Sequence, residues 1–281
     1  MAIISKKRID RFREYLSEAE KAEATVEQYV RDVRCFAAWL GERSLNKTAI
    51  LAYKRRLSET RSPAGVNTAL ASLNAFLAFI GRRELRVKAL KIQANPFASA
   101  EKELTKEEYG RLLAAAKKKQ SKRLYHVMQT ICATGIRISE LKFITAEAVK
   151  DGRATIDCKG KVRTVFLPRE LCRTLDGYLT NCGRTAGPVF VTSSGRPLDR
   201  SNVWTAMKRL CKEARVSPKK VFPHNLRHLF ARTFYAIQKD IVRLADVLGH
   251  TSINTTRIYT RESGFAHRRQ LERIGTVLLR L

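Results

Sequence analysis

Apolar side chains recur at the three- and four-residue spacing of amphipathic helices from the start of the chain to about residue 92. In TVEQYVRDVRCFAAWLG, Thr25 is followed three residues later by glutamine, the spacing of a capping box, and Gly41 marks the end of the helix. In SPAGVNTALASLNAFLAFIG, Ser62 and Pro63 mark a helix start. Together with KKRIDRFREYLSEAE and TAILAYKRRLSE, these segments predict a bundle of four helices over residues 1–92.

The helical pattern stops at KIQANPFASAEKE, a polar stretch with an Asn-Pro pair, which predicts an interdomain linker at residues 93–103. A second domain, residues 104–281, begins with a helix in which Thr105 and Glu108 have capping-box spacing. RATIDC and KVRTVFLP alternate as two strands of a hairpin, PVFV is a candidate third strand, and the pattern is helical again from about Asp199. The predicted fold class is mainly α, with a helical bundle followed by a mostly helical domain that holds a small antiparallel sheet.

The charge balance points to a polyanionic partner. The chain has 55 lysines and arginines against 26 aspartates and glutamates, a formal net charge of +29, which is far more than solubility requires. It has no run of 18 apolar residues, and its first residues lack the order of a secretory signal, so no membrane partner is expected. The six cysteines are scattered without the spacing of a disulfide framework or a zinc site. Nucleic acid is therefore the leading candidate partner, and a cytoplasmic location is expected.

Four short motifs contain a combination of cationic and nucleophilic side chains. They are ATGIRISEL with Arg137, CKGKVRTVFLP with Lys159, PHNLRHLFA with His224 and Arg227, and LGHTSINTTRIYT with His250 and Tyr259. Singly, each residue suits a solvated charge, a helix cap or a packed aromatic ring. Together they suit phosphoryl transfer on a polynucleotide, in which guanidiniums bind phosphate oxygens, a tyrosine attacks phosphorus, and histidine and lysine move protons. The sequence has no cluster of acidic metal ligands, which indicates chemistry without a metal ion.

In this order, the four motifs resemble the successive motifs of the tyrosine recombinase family, the phage and transposon integrases, in its simple two-domain, Xer-like form. The nine-residue step from His250 to Tyr259 fits that family, and the helical front resembles its core-binding domain, so the likeness spans nearly the whole chain. The resemblance implies a SAM-like core-binding domain at residues 1–92 and a catalytic domain at residues 104–281. It also implies a site-specific recombinase or integrase that cuts and rejoins DNA through a covalent 3′-phosphotyrosyl intermediate, without metal, ATP or any other cofactor.

The resemblance further implies a role for each residue of the four motifs. These roles are a phosphate clamp by Arg137 and Arg227, acid–base catalysis by His224, a hydrogen bond to the phosphate from His250, nucleophilic attack by Tyr259, and protonation of the 5′-oxygen by Lys159. Glu140 would orient the site, and His228 would be a packed residue.

The hairpin departs from the family pattern. The family commonly places its lysine five residues before an arginine, whereas Lys159 lies four residues before Arg163. Lys161 is therefore an alternative general acid. Lys159 is favoured because a flexible lysine at a turn reaches into a site more easily than one that starts the return strand.

The partners implied by the resemblance are double-stranded DNA and further copies of this chain, in a tetramer on synapsed DNA in the bacterial nucleoid, together with accessory DNA-bending or directionality factors. The C-terminal stretch FAHRRQLERIGTVLLRL predicts an amphipathic helix that packs either on its own domain or on a neighbouring protomer. Two rival functions stay open from the sequence. One is a non-catalytic DNA-binding accessory factor, and the other is relaxation of supercoils in the manner of a type IB topoisomerase.

Overall fold

The computed structural model describes residues 4–92, 100–158, 160–250, 252–260 and 272. The chain divides into two compact units, Met1–Ala94 and Asn95–Leu281. The described residues are mostly α-helical and contain one two-stranded antiparallel sheet, so the predicted fold class is confirmed. Lys159, residues 93–99 of the predicted linker and nearly all of the predicted C-terminal helix lie outside the described residues. Among the helices that are described, none combines the length and the apolar character needed to cross a membrane.

The described part of the first unit contains the four predicted helices, α1 (Lys6–Glu18), α2 (Glu23–Leu40), α3 (Lys47–Thr60) and α4 (Pro63–Phe79). Their apolar faces form two buried clusters. In one, the rings of Phe12 and Phe76 meet edge to face with centroids 5.2 Å apart, and in the other Phe36 packs against Tyr53 at 5.0 Å. Burial of these aromatic rings, together with the aliphatic side chains around them, stabilises the bundle.

The starts of α2 and α4 differ in how well their sequences predict them. α4 begins as predicted, because Ser62 Oγ accepts a hydrogen bond from the Gly65 N–H at 3.3 Å and Pro63 occupies the first helical position. The prediction of a capping box at Thr25 is wrong. The cap of α2 lies three residues earlier, at Ala22, whose side chain makes no capping bond, and Glu23 places a negative charge in the first turn that favours the helix dipole.

The second unit contains nine α-helices and two strands within its described residues. They are α5 (Lys106–Lys118), α6 (Lys122–Thr134), α7 (Ala146–Asp151), β1 (Arg153–Cys158), β2 (Lys161–Phe166), α8 (Arg169–Asn181), α9 (Arg200–Lys208), α10 (Cys211–Ala214), α11 (Pro223–Gln238), α12 (Ile241–Leu248) and α13 (Ile253–Thr256). The predicted capping box is present at α5, where Thr105 and Glu108 exchange hydrogen bonds of 2.9 and 3.1 Å. One large apolar core extends from α5 to α11.

The sheet is the predicted hairpin of β1 and β2, in which Ile156 pairs with Arg163. The prediction of a third strand at PVFV is wrong, because residues 188–191 make only single bridges to other segments. Pro188 has no N–H for a ladder, and the N–H of Val189 donates to the Ile144 carbonyl at 2.9 Å. This segment therefore packs its apolar side chains into the core without forming a strand.

Gly135 ends α6 in the left-handed conformation, with φ of +66°, and lies directly against two apolar side chains. A Cβ at this position would lie 2.4 Å from Cδ1 of Phe230 and 3.0 Å from Cδ2 of Leu248, well inside van der Waals contact. We expect Gly135→Ala to lower the free energy of unfolding by about 2 to 4 kcal/mol, because the ring must move and the backbone is strained.

The matched control is Gly152→Ala. Gly152 ends α7 with φ of +69°, and a Cβ there would meet nothing within 4 Å, so only the conformational cost of about 1 kcal/mol applies. Denaturant unfolding of both variants measures the difference. Equal losses of stability would contradict the close approach at Gly135.

Candidate active site

The guanidinium of Arg227 lies inside the second unit, where the residue is 1% exposed. Its Nη1 donates to the Gly135 carbonyl at 2.5 Å and its Nη2 donates to the Leu248 carbonyl at 2.8 Å. These carbonyls lie at the C-terminal ends of α6 and α12. Carbonyls at such ends have no hydrogen-bond partner within their own helix, and they carry the negative end of the helix dipole. Burial, followed by the nearby charge of Arg137, lowers the pKa of Arg227 below its usual value. The two helix ends therefore fix the position of the cation, and the second positive charge, on Arg137, favours binding of an anion at the site.

His250 follows Gly249 at the end of α12 and contacts the same guanidinium. Its Nε2 lies 2.9 Å from Nη2 of Arg227, and its Nδ1 lies 2.8 Å from Oγ1 of Thr256. A guanidinium only donates, so Nε2 is the acceptor and the ring proton is on Nδ1, facing Thr256. Burial and then the charge of Arg227 lower the pKa of His250 to about 4, so the imidazole is neutral at neutral pH.

Tyr259 lies in the short 3-10 segment after α13 and is 5% exposed. Its ring meets His228 edge to face at 4.6 Å and lies nearly parallel to His250, with centroids 5.8 Å apart. Its hydroxyl interacts with Arg227, and this interaction partly opposes the lowering of the pKa of that arginine. The structure therefore brings the predicted nucleophile beside the buried cation.

His224 lies in the first turn of α11 and is exposed to solvent, and its ring meets that of His228 at 4.6 Å. Although the residue as a whole is exposed, desolvation of its ring against the site, followed by the charges of Arg227 and Arg137, lowers the pKa of His224, so its imidazole is neutral at neutral pH and can accept a proton. His228, predicted as a packed residue, packs its ring against the rings of both His224 and Tyr259. Its position four residues after His224, on the same helix face, is the sequence signal for this contact.

Arg137 is held by Glu140. The Arg137 N–H donates to Glu140 Oε2 at 2.7 Å, and Nη1 of Arg137 donates to Oε1 at 3.0 Å. Glu140 is 1% exposed, and Oε2 also accepts from Nη2 of Arg163 at 2.8 Å, so the buried carboxylate is matched by two guanidiniums. The side chain of Arg137 is 42% exposed, which leaves part of its guanidinium open to a ligand.

The structure brings together five of the six predicted site residues, namely Arg137, His224, Arg227, His250 and Tyr259. Lys159 lies outside the described residues. Lys161 is the first residue of β2, as expected for the start of the return strand, and its side chain is likewise outside the description. In the sequence, Arg163 served only to measure the spacing from Lys159 and was not predicted as a site residue. The signal that could have found it is its position two residues before buried Val165, on the same inward face of β2, because a charged residue on an inward face needs a buried partner.

Chemically, the predicted residues that meet in this site supply two guanidiniums, two neutral imidazoles and a tyrosine hydroxyl. The guanidiniums can bind and stabilise a phosphate group whose negative charge increases in a transition state. A hydroxyl next to a cation can serve as a nucleophile, and a neutral imidazole can accept its proton. This set of groups suits the transfer of a phosphoryl ester to tyrosine.

Comparison with known proteins agrees with that chemistry. Residues 102–264 match the model of the Phage integrase family, and residues 9–84 match that of the Phage integrase, N-terminal SAM-like domain. Tyrosine recombinase XerD of Xanthomonas campestris pv. campestris is 30% identical over 279 residues, covering 90% of this chain and 86% of the relative. Tyrosine recombinase XerA of Thermococcus kodakarensis is 30% identical over 261 residues, covering 90% of each. The crystal structure of a lambda integrase tetramer bound to a Holliday junction shares the fold, with a TM-score of 0.73 and 19% identity over 92% of this chain and 78% of that chain.

Proposed function

This chain belongs to the phage integrase family and is a tyrosine recombinase, and from that premise we propose how its own residues cut and rejoin DNA. Residues 1–92 act as the core-binding domain and residues 104–281 as the catalytic domain. The observation that carries the proposal is the buried guanidinium of Arg227, which has the Tyr259 hydroxyl and the imidazole of His250 as neighbours. A cation fixed in this way suits a scissile phosphate that is attacked by the adjacent tyrosine.

In the cleavage step, the Tyr259 oxygen attacks the scissile phosphorus and the bond from phosphorus to the 5′-oxygen breaks. The phenolic proton passes to neutral His224, and the departing 5′-oxygen takes a proton from Lys159, with Lys161 as the alternative donor. The products are a 3′-phosphotyrosyl link and a free 5′-hydroxyl. Attack of a 5′-hydroxyl from another strand reverses these events, and the covalent link conserves the energy of the phosphodiester, so no ATP is consumed.

Arg137 and Arg227 bind the non-bridging oxygens of the phosphate. Arg227 is fixed by two backbone carbonyls, and Arg137 is fixed by Glu140, so both cations are oriented before the substrate arrives. Such preorganised donors stabilise the transition state more than the ground state, since they need not reorganise as charge develops. The Nε2 of His250 accepts a hydrogen bond from Arg227, which supports a role for His250 in orienting that arginine. A direct hydrogen bond from His250 to the phosphate stays a prediction.

The partner of this site is double-stranded DNA, and the acting species is a tetramer of this chain on two synapsed duplexes. The net charge of +29 supports a polyanionic partner. The tetramer of lambda integrase on a Holliday junction, which shares the fold, supports the assembly. Exchange of strands needs four cleavages, so four copies of a site with a single tyrosine fit the reaction. Accessory DNA-bending or directionality factors would act on this assembly.

Covalent trapping tests the proposed reaction. The wild-type protein is incubated in EDTA with end-labelled duplex fragments from its own genomic neighbourhood, then denatured, and attached DNA is recovered. We expect a 5′-end label to stay with the protein and a 3′-end label to be released, because the link is to the 3′-phosphate. Tight DNA binding without any adduct would favour the non-catalytic accessory factor. Adducts accompanied by plasmid relaxation but no strand exchange would favour the topoisomerase-like activity.

A further inference from the structure

We propose that Arg163 is a positioning residue for the cleavage step, which holds Arg137 and His250 in a fixed relation to the β1–β2 hairpin. This inference rests on the proposed function of the same site. Arg163 lies on the inward face of β2, where its side chain is 18% exposed. It pairs across the sheet with Ile156, and Lys159 precedes it by four residues in the sequence.

The first contact of Arg163 reaches Arg137 through Glu140. Nη2 of Arg163 donates to Glu140 Oε2 at 2.8 Å, the same oxygen that accepts from the Arg137 N–H at 2.7 Å. With Arg163 absent, this buried carboxylate would keep Arg137 as its one guanidinium partner among the contacts described. Arg137 would then be drawn toward both carboxylate oxygens and away from the position in which it binds phosphate.

The second contact reaches His250 through the end of α12. Nη1 of Arg163 donates to the Val247 carbonyl at 2.6 Å, and Nη2 of Arg227 donates to the next carbonyl along the chain, that of Leu248. Two guanidiniums thus hold consecutive carbonyls at one helix end. Arg163 also packs against the following glycine so closely that a Cβ on Gly249 would lie 2.6 Å from Cδ of Arg163.

Both terminal nitrogens of Arg163 are engaged by these contacts. One rigid, planar side chain therefore joins three parts of the site, which are the hairpin, the Arg137 segment and the loop that carries His250. A lysine could reach Glu140 or Val247 but could not donate to both in this fork geometry. The structure therefore assigns to Arg163 a role that depends on the guanidinium group and not on charge alone.

The test compares Arg163→Gln and Arg163→Lys with a matched control, Arg153→Gln, which changes an arginine on the exposed face of the same hairpin. The substrate is the DNA site recovered by covalent trapping. We expect Arg163→Gln to lower the single-turnover rate of adduct formation at saturating protein by about 100-fold, the size expected for a small misplacement of catalytic groups. The DNA dissociation constant should change less than about threefold, and the rate of Arg153→Gln should match the wild type.

A methylphosphonate at the scissile position separates positioning from general loosening of the fold. This substrate lacks one of the charged oxygens that the arginines neutralise, so the defect of Arg137→Ala should shrink on it. If Arg163 acts through Arg137, the defect of Arg163→Gln shrinks in parallel. A defect of equal size on both substrates would contradict the inference and point to a merely structural role.

A double-mutant cycle gives an independent readout. Arg163→Gln combined with Glu140→Gln should be no slower than the slower single variant, since both changes interrupt the same connection to Arg137. Fully additive losses would overturn the proposal. If Arg163→Gln fails to fold, the rate of adduct formation is measured with Arg163→Lys instead. A wild-type rate in Arg163→Lys would also overturn the proposal. Failure of the wild type itself to form any adduct would count against the proposed function. That outcome differs from a failure of the Arg163 proposal, in which the wild type still forms adducts.

Discussion

Replacing Tyr259 by phenylalanine is expected to abolish covalent attachment to DNA while leaving the fold and the DNA affinity unchanged. The ring of Tyr259 is buried against His228 and lies parallel to His250, and phenylalanine preserves both contacts. Only the hydroxyl is lost, and with it the atom that forms the bond to phosphorus. The expected loss of adduct is at least about 10⁴-fold, as for removal of the nucleophile from other covalent catalysts.

Denaturing electrophoresis of labelled DNA measures the adduct, and native electrophoresis measures the affinity. Tyr235→Phe is the matched control, because Tyr235 packs against the same small apolar cluster as Tyr259 and lies on α11. We expect this control to form adducts at the wild-type rate. Adducts of normal yield from the Tyr259→Phe variant would show that another side chain is the nucleophile.

Replacing Arg227 by lysine is expected to slow cleavage by about 10²- to 10³-fold, the size seen when a preorganised charge-stabilising donor is removed. The ammonium of lysine cannot reproduce the fork with which Arg227 donates to the Gly135 and Leu248 carbonyls and contacts His250. At least one of these buried groups then loses its partner. We therefore also expect the free energy of unfolding to fall by about 2 to 4 kcal/mol.

The single-turnover rate is measured well below the unfolding temperature, so that the loss of stability does not contribute to the loss of activity. Arg232→Lys is the matched control on the same helix. Arg232 donates to the Leu104 carbonyl and pairs with Glu103, outside the site, so its cleavage rate should stay within a few-fold of the wild type. A wild-type rate in Arg227→Lys would contradict the role of a fixed guanidinium fork.

Local patterns in the sequence were sufficient for much of the fold. The Ser62 cap, the capping box at Thr105 and the two strands of the hairpin are where the sequence predicts them, because each depends on residues that are neighbours along the chain. The start of α2 and the segment PVFV were mispredicted. In PVFV the backbone forms hydrogen bonds with segments that are distant in the sequence instead of a ladder with a neighbouring strand. Such long-range bonds cannot be predicted from the residues of the segment itself.

The sequence also determined the candidate chemistry, through four motifs whose order resembles one family. The structure brings five of the six predicted residues into one site, while their individual roles stay predictions. Tertiary structure alone decided how those residues are held. Arg227 donates to a carbonyl 92 residues away, and Arg163 reaches Glu140 and Val247 across 23 and 84 residues. The tautomer of His250 and the burial of Tyr259 follow from the same long-range packing, since each depends on which helix ends meet in the folded domain.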